Sequence, residues 1–286
     1  MGARAGRYSP AVRLADVDSL ADPRLAPFRN LPDRQLRAAG EMFLVEGRLG
    51  VRRLLTESSF APHSFFLTPP AWVALSDLFG KLPAATPVYR GSQALLNEVV
   101  GYNLHRGCLA AVWRGAPRDP AALLDGCTRE GRPLLVLEEL NNPENVGNVF
   151  RNAVAFGAGG VWLTSGCADP LYRQATRISM GGTLRVPFAR LAPGAAVASA
   201  LRAQGFTSVA LTPDPSAPPI DVVAPELAGA RQIALLLGNE AAGLSAEFLA
   251  SADWRVRIPL MPEVDSLNVA TASGTALHTF ARVAAT

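Results

Sequence analysis

Lysine is almost missing from this chain: of 27 basic residues, Lys81 is the one lysine and the rest are arginine. Cysteine is scarce too. Cys108, Cys127 and Cys167 are odd in number and far apart, which excludes a disulfide framework or a zinc ribbon and points to a reducing, cytoplasmic compartment. With three histidines and no His/Cys cluster, no metal site is expected. No uninterrupted apolar run approaches the roughly 20 residues that span a bilayer. The opening Met-Gly-Ala-Arg-Ala-Gly-Arg has no apolar stretch behind it, so a secretory signal is not expected. A dinucleotide loop is missing as well. The glycine cluster Gly157-Ala-Gly-Gly160 precedes a strand instead of opening a helix, which disfavours a dehydrogenase-like enzyme.

What is present is ample core material. Hydrophobic residues make up 49% of the 286 and charged residues 18%, so general disorder is excluded and two ordinary domains are expected. Charge is uneven along the chain. Residues 1–118 hold 15 basic against 9 acidic side chains (+6), and the remainder 12 against 15 (−3), which together give the net +3. Arginine pairs bidentately with phosphate, so a basic front half suits a polyanion. A GC-rich genome produces the same arginine bias, and charge alone does not choose between the two.

Residues 1–30, punctuated by Pro10, Pro23 and Pro27, read as an irregular or partly helical leader. A polar helix is expected at 33–39. Strands follow at 42–46, 64–68, 87–89 and 108–113, with helices at 48–56, 70–79 and 93–100 between them. This rhythm predicts a small α/β domain over 31–115. Residues 116–130 have linker composition, with a short helix at 121–130. The rhythm restarts at Pro133-Leu-Leu-Val-Leu-Glu138, an apolar run suited to a strand covered on both faces. Further strands are expected at 160–164, 207–211, 232–237 and 255–259, giving a second α/β domain over 131–286.

Three segments of that second half carry chemistry. In Asn141-Asn-Pro-Glu-Asn-Val-Gly-Asn-Val-Phe-Arg-Asn-Ala153, a strand gives way to a helix. Asn142 suits the N-cap, Pro143 the first helical position and Glu144 the dipole. Those roles leave Asn145, Gly147 and Arg151 unexplained, and a mid-helix glycine costs about 1 kcal/mol against alanine. In Ile233-Ala-Leu-Leu-Leu-Gly-Asn-Glu-Ala-Ala-Gly-Leu-Ser245, a buried strand ends in Gly238-Asn239-Glu240. That is either a plain turn or a place where backbone meets a ligand. In Val256-Arg-Ile-Pro-Leu-Met-Pro-Glu-Val-Asp-Ser-Leu-Asn-Val-Ala270, a strand stops at Pro259 and Ser266 is expected to open an apolar-striped helix.

Together these segments resemble the signature motifs of the SpoU (TrmH-type) RNA 2′-O-ribose methyltransferases. Asn142, Pro143, Asn145, Gly147, Arg151 and Ala153 match the first. Leu237, Gly238, Glu240, Gly243 and Leu244 match the second, and Ile258, Pro259, Ser266, Leu267, Asn268 and Val269 the third. Ser179-Met-Gly-Gly182 and Arg185-Val-Pro-Phe188 support them. Phe43-Leu-Val-Glu-Gly47 and His105-Arg-Gly107 are similar to tracts of the family's small RNA-binding domain. The sequence departs from the family pattern at Ala241 and Pro262, where glycine is usual.

The resemblance implies a trefoil-knotted methyltransferase domain of the SPOUT superfamily with S-adenosylmethionine as cofactor. It implies cofactor contacts from Leu211, Thr212, Gly238, Ile258 and Leu267. Arg151 would activate the ribose hydroxyl beside an RNA phosphate, and Asn145, Glu240, Ser266 and Asn268 would position the ribose and Arg151. A free guanidinium keeps its proton far above neutral pH, so an arginine orients and stabilises charge better than it acts as a base. Also implied are a homodimer and an RNA partner, ribosomal ahead of transfer RNA. Arg52, Arg53, Arg90 and Arg106 are the candidate RNA contacts of the front half. A non-catalytic RNA-binding relative is the competing class.

Overall fold

Short apolar runs bounded by proline, glycine and serine set the strands, and a computed structural model shows how they assemble. It describes residues 12–29, 42–80, 82–105, 107–194, 196–227 and 232–284. The helix expected at 33–39 and Arg106 lie outside the described residues. The chain divides into two units, Met1–Gly115 and Ala116–Thr286.

The first unit runs β1 (Arg13–Asp16), a 3-10 turn at Pro23–Phe28, β2 (Met42–Glu46), α1 (Gly47–Glu57), β3 (Pro62–Leu67), α2 (Pro69–Phe79), β4 (Pro87–Arg90), α3 (Gln93–Val100) and β5 (Cys108–Trp113). Its sheet has the order β1-β4-β3-β5-β2. β1, β4 and β3 are parallel, whereas β5 is antiparallel to both β3 and β2. The leader expectation is corrected for the described residues. Arg13–Asp16 is an edge strand paired in register with Pro87–Arg90, and Leu25 and Phe28 are fully buried. A four-residue strand is too short to show a period, and Pro23 starts the 3-10 turn instead of marking a loose tail. The Tyr102 hydroxyl donates to the Glu46 carboxylate, tying the loop before β5 to the end of β2.

The second unit begins with α4 (Pro120–Glu130), followed by β6 (Leu134–Leu137), α5 (Pro143–Ala155), β7 (Gly160–Leu163), α6 (Arg173–Ile178) and a 3-10 turn at Gly182–Leu184. Then come β8 (Phe188–Arg190), α7 (Val197–Ala203), β9 (Thr207–Leu211), α8 (Ile220–Glu226), β10 (Ile233–Leu237), α9 (Ala246–Ser251), β11 (Trp254–Val256) and α10 (Val269–Ala284). All six strands are parallel, in the order β11-β9-β10-β6-β7-β8. Side chains alternate between two cores. Leu135 and Leu137 enter the one shared with α5 and α10, and Leu134 and Val136 the one shared with α4 and α7. That is why β6 reads as unbroken apolar sequence.

The short helix expected at 121–130 within the linker is present as α4, and it packs into the second unit. Asp119 caps α4 by accepting from the Ala121 and Ala122 amides, and Leu123, Leu124 and Cys127 are buried in the second core. Among the described residues, no helix is long and apolar enough to cross a membrane.

Candidate active site

β6 and β10 are neighbours at the middle of the sheet, with Leu137 opposite Leu237. The first two segments therefore leave the sheet side by side at the strands' carboxyl ends, where open α/β sheets bind ligands. Asn142 accepts from the Glu144 amide at 2.9 Å and caps α5, with Pro143 in its first turn. Gly147 is explained by packing. A Cβ there would stand 2.8 Å from the Ala175 carbonyl oxygen and 3.1 Å from its Cα, so only glycine lets α6 approach α5 this closely.

Asn145 is buried, and its side chain joins all three segments. Its Nδ2 donates to Glu240 Oε1, and its Oδ1 accepts from Asn268 Nδ2 at 3.0 Å. Asn268 Oδ1 in turn accepts from the Ala270 amide at 2.9 Å, and its carbonyl from the Ala272 amide. Asn268 thus caps α10, which starts at Val269 and not at Ser266 as expected. The strand before it also ends early, at Val256. Ser266 and Leu267 are left as loop. Asn152 adds a second tie between the helices, donating to the Ala270 carbonyl at 2.6 Å and to Ser273 Oγ at 2.9 Å.

Asn239 organises the turn after β10, a role the sequence reading missed. Its Oδ1 accepts from the amides of Ala241 and Ala242, and its Nδ2 donates to the Glu139 carbonyl at 2.9 Å. Backbone bonds to Gly243 in both directions close the turn. At Gly238 a Cβ would run into the backbone of Gly243 and Leu244. Ala241 and Pro262 are not among the residues with positive φ, so neither departure from glycine strains its loop.

A cleft of about 520 Å³ opens beside this turn. Leu211, Thr212, Gly238, Ile258 and Leu267 all line it, as do Glu240 and Ser266. Asn145 and Asn268 connect to it through Glu240. Asp214 and Asp265, absent from the sequence reading, line it as well. The hydroxyl and amide of Ser216 hold the Asp214 carboxyl below the usual carboxylate range.

Arg151 stands apart from this cleft. It is exposed and makes no hydrogen bond or ion pair among the described residues. Six residues of helix turn it about 120° away from Asn145, onto the stripe that meets α6. Of the front-half arginines, Arg52 pairs with Asp77 at 3.2 Å and Arg90 with Asp16 at 2.7 Å. Arg53 is half-buried in α1.

Residues 132–278 match the model of the SpoU rRNA Methylase family. The chain belongs to that family. An uncharacterised tRNA/rRNA methyltransferase of Mycobacterium tuberculosis is 39% identical over 282 residues, covering 96% of this chain and 94% of the relative. The 23S rRNA (guanosine-2′-O-)-methyltransferase RlmB of Acinetobacter baylyi is 29% identical over 201 residues, 68% of this chain and 78% of that one. Among solved structures, the AdoMet-bound rRNA methyltransferase of Sinorhizobium meliloti superposes with a TM-score of 0.78 at 25% identity, covering 94% of this chain and 98% of its own. The likeness to the Mycobacterium and Sinorhizobium proteins thus extends over the first unit as well as the second, whereas the family model matches the second alone.

Proposed function

We propose that this SpoU protein is an S-adenosylmethionine-dependent RNA 2′-O-ribose methyltransferase acting on structured RNA, ribosomal ahead of transfer RNA. The observation that carries the reading is the hydrogen-bonded run Asn268–Asn145–Glu240, which gathers three separated segments at the rim of one cleft. The cleft suits the methyl donor. Its walls are mainly apolar, Gly238 leaves backbone where a side chain would intrude, and carboxylates at Asp214, Glu240 and Asp265 favour a ligand carrying sulfonium and ammonium charge. When bound, S-adenosylmethionine supplies an electrophilic methyl group. Leu211, Thr212, Gly238, Ile258 and Leu267 would hold it.

The chain's own residues then have two tasks. Asn145, Glu240, Ser266 and Asn268 align the ribose, which is worth most when the 2′-oxygen is held on line with the methyl carbon. Arg151 orients the hydroxyl and stabilises the negative charge that grows on its oxygen as the proton leaves. Because Arg151 does not line its own cleft, we take the active form to be a homodimer in which the guanidinium works beside the partner's cleft. The order β9-β10-β6, with a late strand entered between earlier ones, supports a trefoil-knotted path for the second unit. The front half is read as an RNA substrate-binding domain acting in the cytoplasm, with Arg52, Arg53, Arg90 and Arg106 near phosphate. The ribosomal substrate rests on the Sinorhizobium and Acinetobacter relatives. The backbone at Ala241 and Pro262 gives the non-catalytic alternative no support.

Mapping 2′-O-methylation on total RNA from cells with and without the gene tests this reading. Loss of at least one site without the gene is expected, and an unchanged map would overturn it.

A further inference from the structure

Glu138 is a buried carboxylate to which the site described so far gives no role. It stands one residue beyond β6, is 9% exposed, and follows Leu134, Leu135, Val136 and Leu137, which are fully buried. A carboxylate in such a place is costly unless it is hydrogen-bonded. Among the described residues its side chain makes one bond. Oε2 accepts from the Ser245 amide at 2.7 Å, a contact that spans 107 residues of chain. That length belongs to charge-assisted bonds, the stronger kind.

Ser245 is where the loop after β10 ends and α9 begins. Every residue of that loop, from Gly238 to Leu244, lines the cleft. Bonds within the loop, between Asn239 and Gly243 and from the Ala241 and Ala242 amides to Asn239 Oδ1, give it a shape. They do not place it against the sheet. Residues 138 and 139 do. The Glu138 N–H donates to the Leu237 carbonyl at 2.9 Å just before the loop, and the Glu139 carbonyl accepts from Asn239 Nδ2 just inside it. At the far end Leu244 packs into the second core, and the Glu138 carboxylate fixes the backbone beside it through the Ser245 amide.

We infer that Glu138 is a positioning residue for the cofactor: its carboxylate pins the Ser245 end of the Gly238–Leu244 loop and holds that wall of the cleft where S-adenosylmethionine binds. This rests on the reading above that the cleft is the cofactor's. A loop ordered before its ligand arrives loses less freedom on binding, so releasing the pin weakens affinity without removing any contact to the ligand. An apolar side chain at 138 would continue the character of β6 but leave the Ser245 amide without its acceptor.

The test is calorimetric titration of the full-length protein with S-adenosylmethionine, beside thermal unfolding and amide hydrogen exchange. Glu138→Ala should raise the Kd about tenfold, equivalent to about 1.4 kcal/mol. Exchange at Ser245 and across the loop should quicken while the amides of β6 and β10 keep their protection. Glu138→Gln keeps an acceptor of the same reach and should recover most of the affinity. The donor can be removed from the other side, because Ser245 has φ −62, a value that proline adopts. Ser245→Ala is the control, since it keeps the amide and loses the hydroxyl that accepts from Phe248. Ser245→Pro should weaken binding about tenfold beyond Ser245→Ala, and adding Glu138→Ala to it should cost nothing more. An unchanged Kd in Glu138→Ala and Ser245→Pro, with or without a lowered melting temperature, or losses that add in the double variant, overturns the positioning role while leaving the cleft to the cofactor. A wild-type protein that binds no S-adenosylmethionine overturns the reading of the cleft and the role with it.

Discussion

Asn268 lies 123 residues beyond Asn145 in the chain, yet its side-chain amide donates to Asn145 Oδ1 at 3.0 Å. The same Asn145 donates onward to Glu240, so one buried amide is held between two segments and can satisfy both. Replacing it by alanine leaves both partners short of a bond, at a cost of about 1–3 kcal/mol. Asn145→Ala is expected to lower the melting temperature by several degrees and turnover at least tenfold. Thermal unfolding and methyl-transfer rates check this, and wild-type values for both would contradict it.

Arg151→Ala should behave in the opposite way. The side chain is exposed and unpaired among the described residues, and such surface changes usually stay within about 0.5 kcal/mol. Stability and cofactor affinity should stay at wild-type values while methyl transfer is lost. Retained turnover on the natural RNA would remove Arg151 from the reaction.

Gly147→Ala tests the packing of α5. Alanine has the better helix propensity by about 1 kcal/mol. Its Cβ, however, would stand 2.8 Å from the Ala175 carbonyl oxygen, and backbone cannot swing aside as a flexible side chain can. Overpacking of this kind costs about 1–3 kcal/mol. A net loss of stability is expected by chemical denaturation, and a gain would mean that α6 yields easily.

Asp253 gives a prediction in pH. Burial raises its pKa, but bonds from the Ser208 amide and hydroxyl, together with Arg202, outweigh that and leave it below the ordinary 3.8. A depressed folded-state pKa contributes stability above the unfolded value and loses it as pH falls through the folded one. Asp253→Asn should therefore cost about 1–2 kcal/mol at pH 7, mostly through Ser208 because the Arg202 side chain is half exposed. The penalty should shrink below about pH 4. Denaturation curves across pH that show a constant difference would contradict this.

How much of this was legible in the sequence depended on local signal. β6 and β10 could be read because both faces are covered and apolar residues run on without a break. Asn142 and Pro143 could be read because capping is local. Neither β1 nor β8, of four and three residues, is long enough to show a period, and β8 was not expected at all. The helix at 121–130 could be read, but Asp119 as its cap lies inside a stretch whose prolines, Pro117 and Pro120, give it linker composition. Asn239 was visible as Gly-Asn-Glu, but its bond to Glu139 crosses 100 residues of chain, and no local pattern encodes that. The same is true of Arg151: its sequence motif was plain, while the direction it faces required α6 in place.

The most direct test of the whole account is transfer itself. Purified full-length protein, tritiated S-adenosylmethionine and total RNA from cells lacking the gene are combined, and the labelled RNA is digested to nucleosides. Label is expected in a 2′-O-methylated nucleoside, with none from the Arg151→Ala protein. Label on a base, or no label with the wild-type protein, would contradict it.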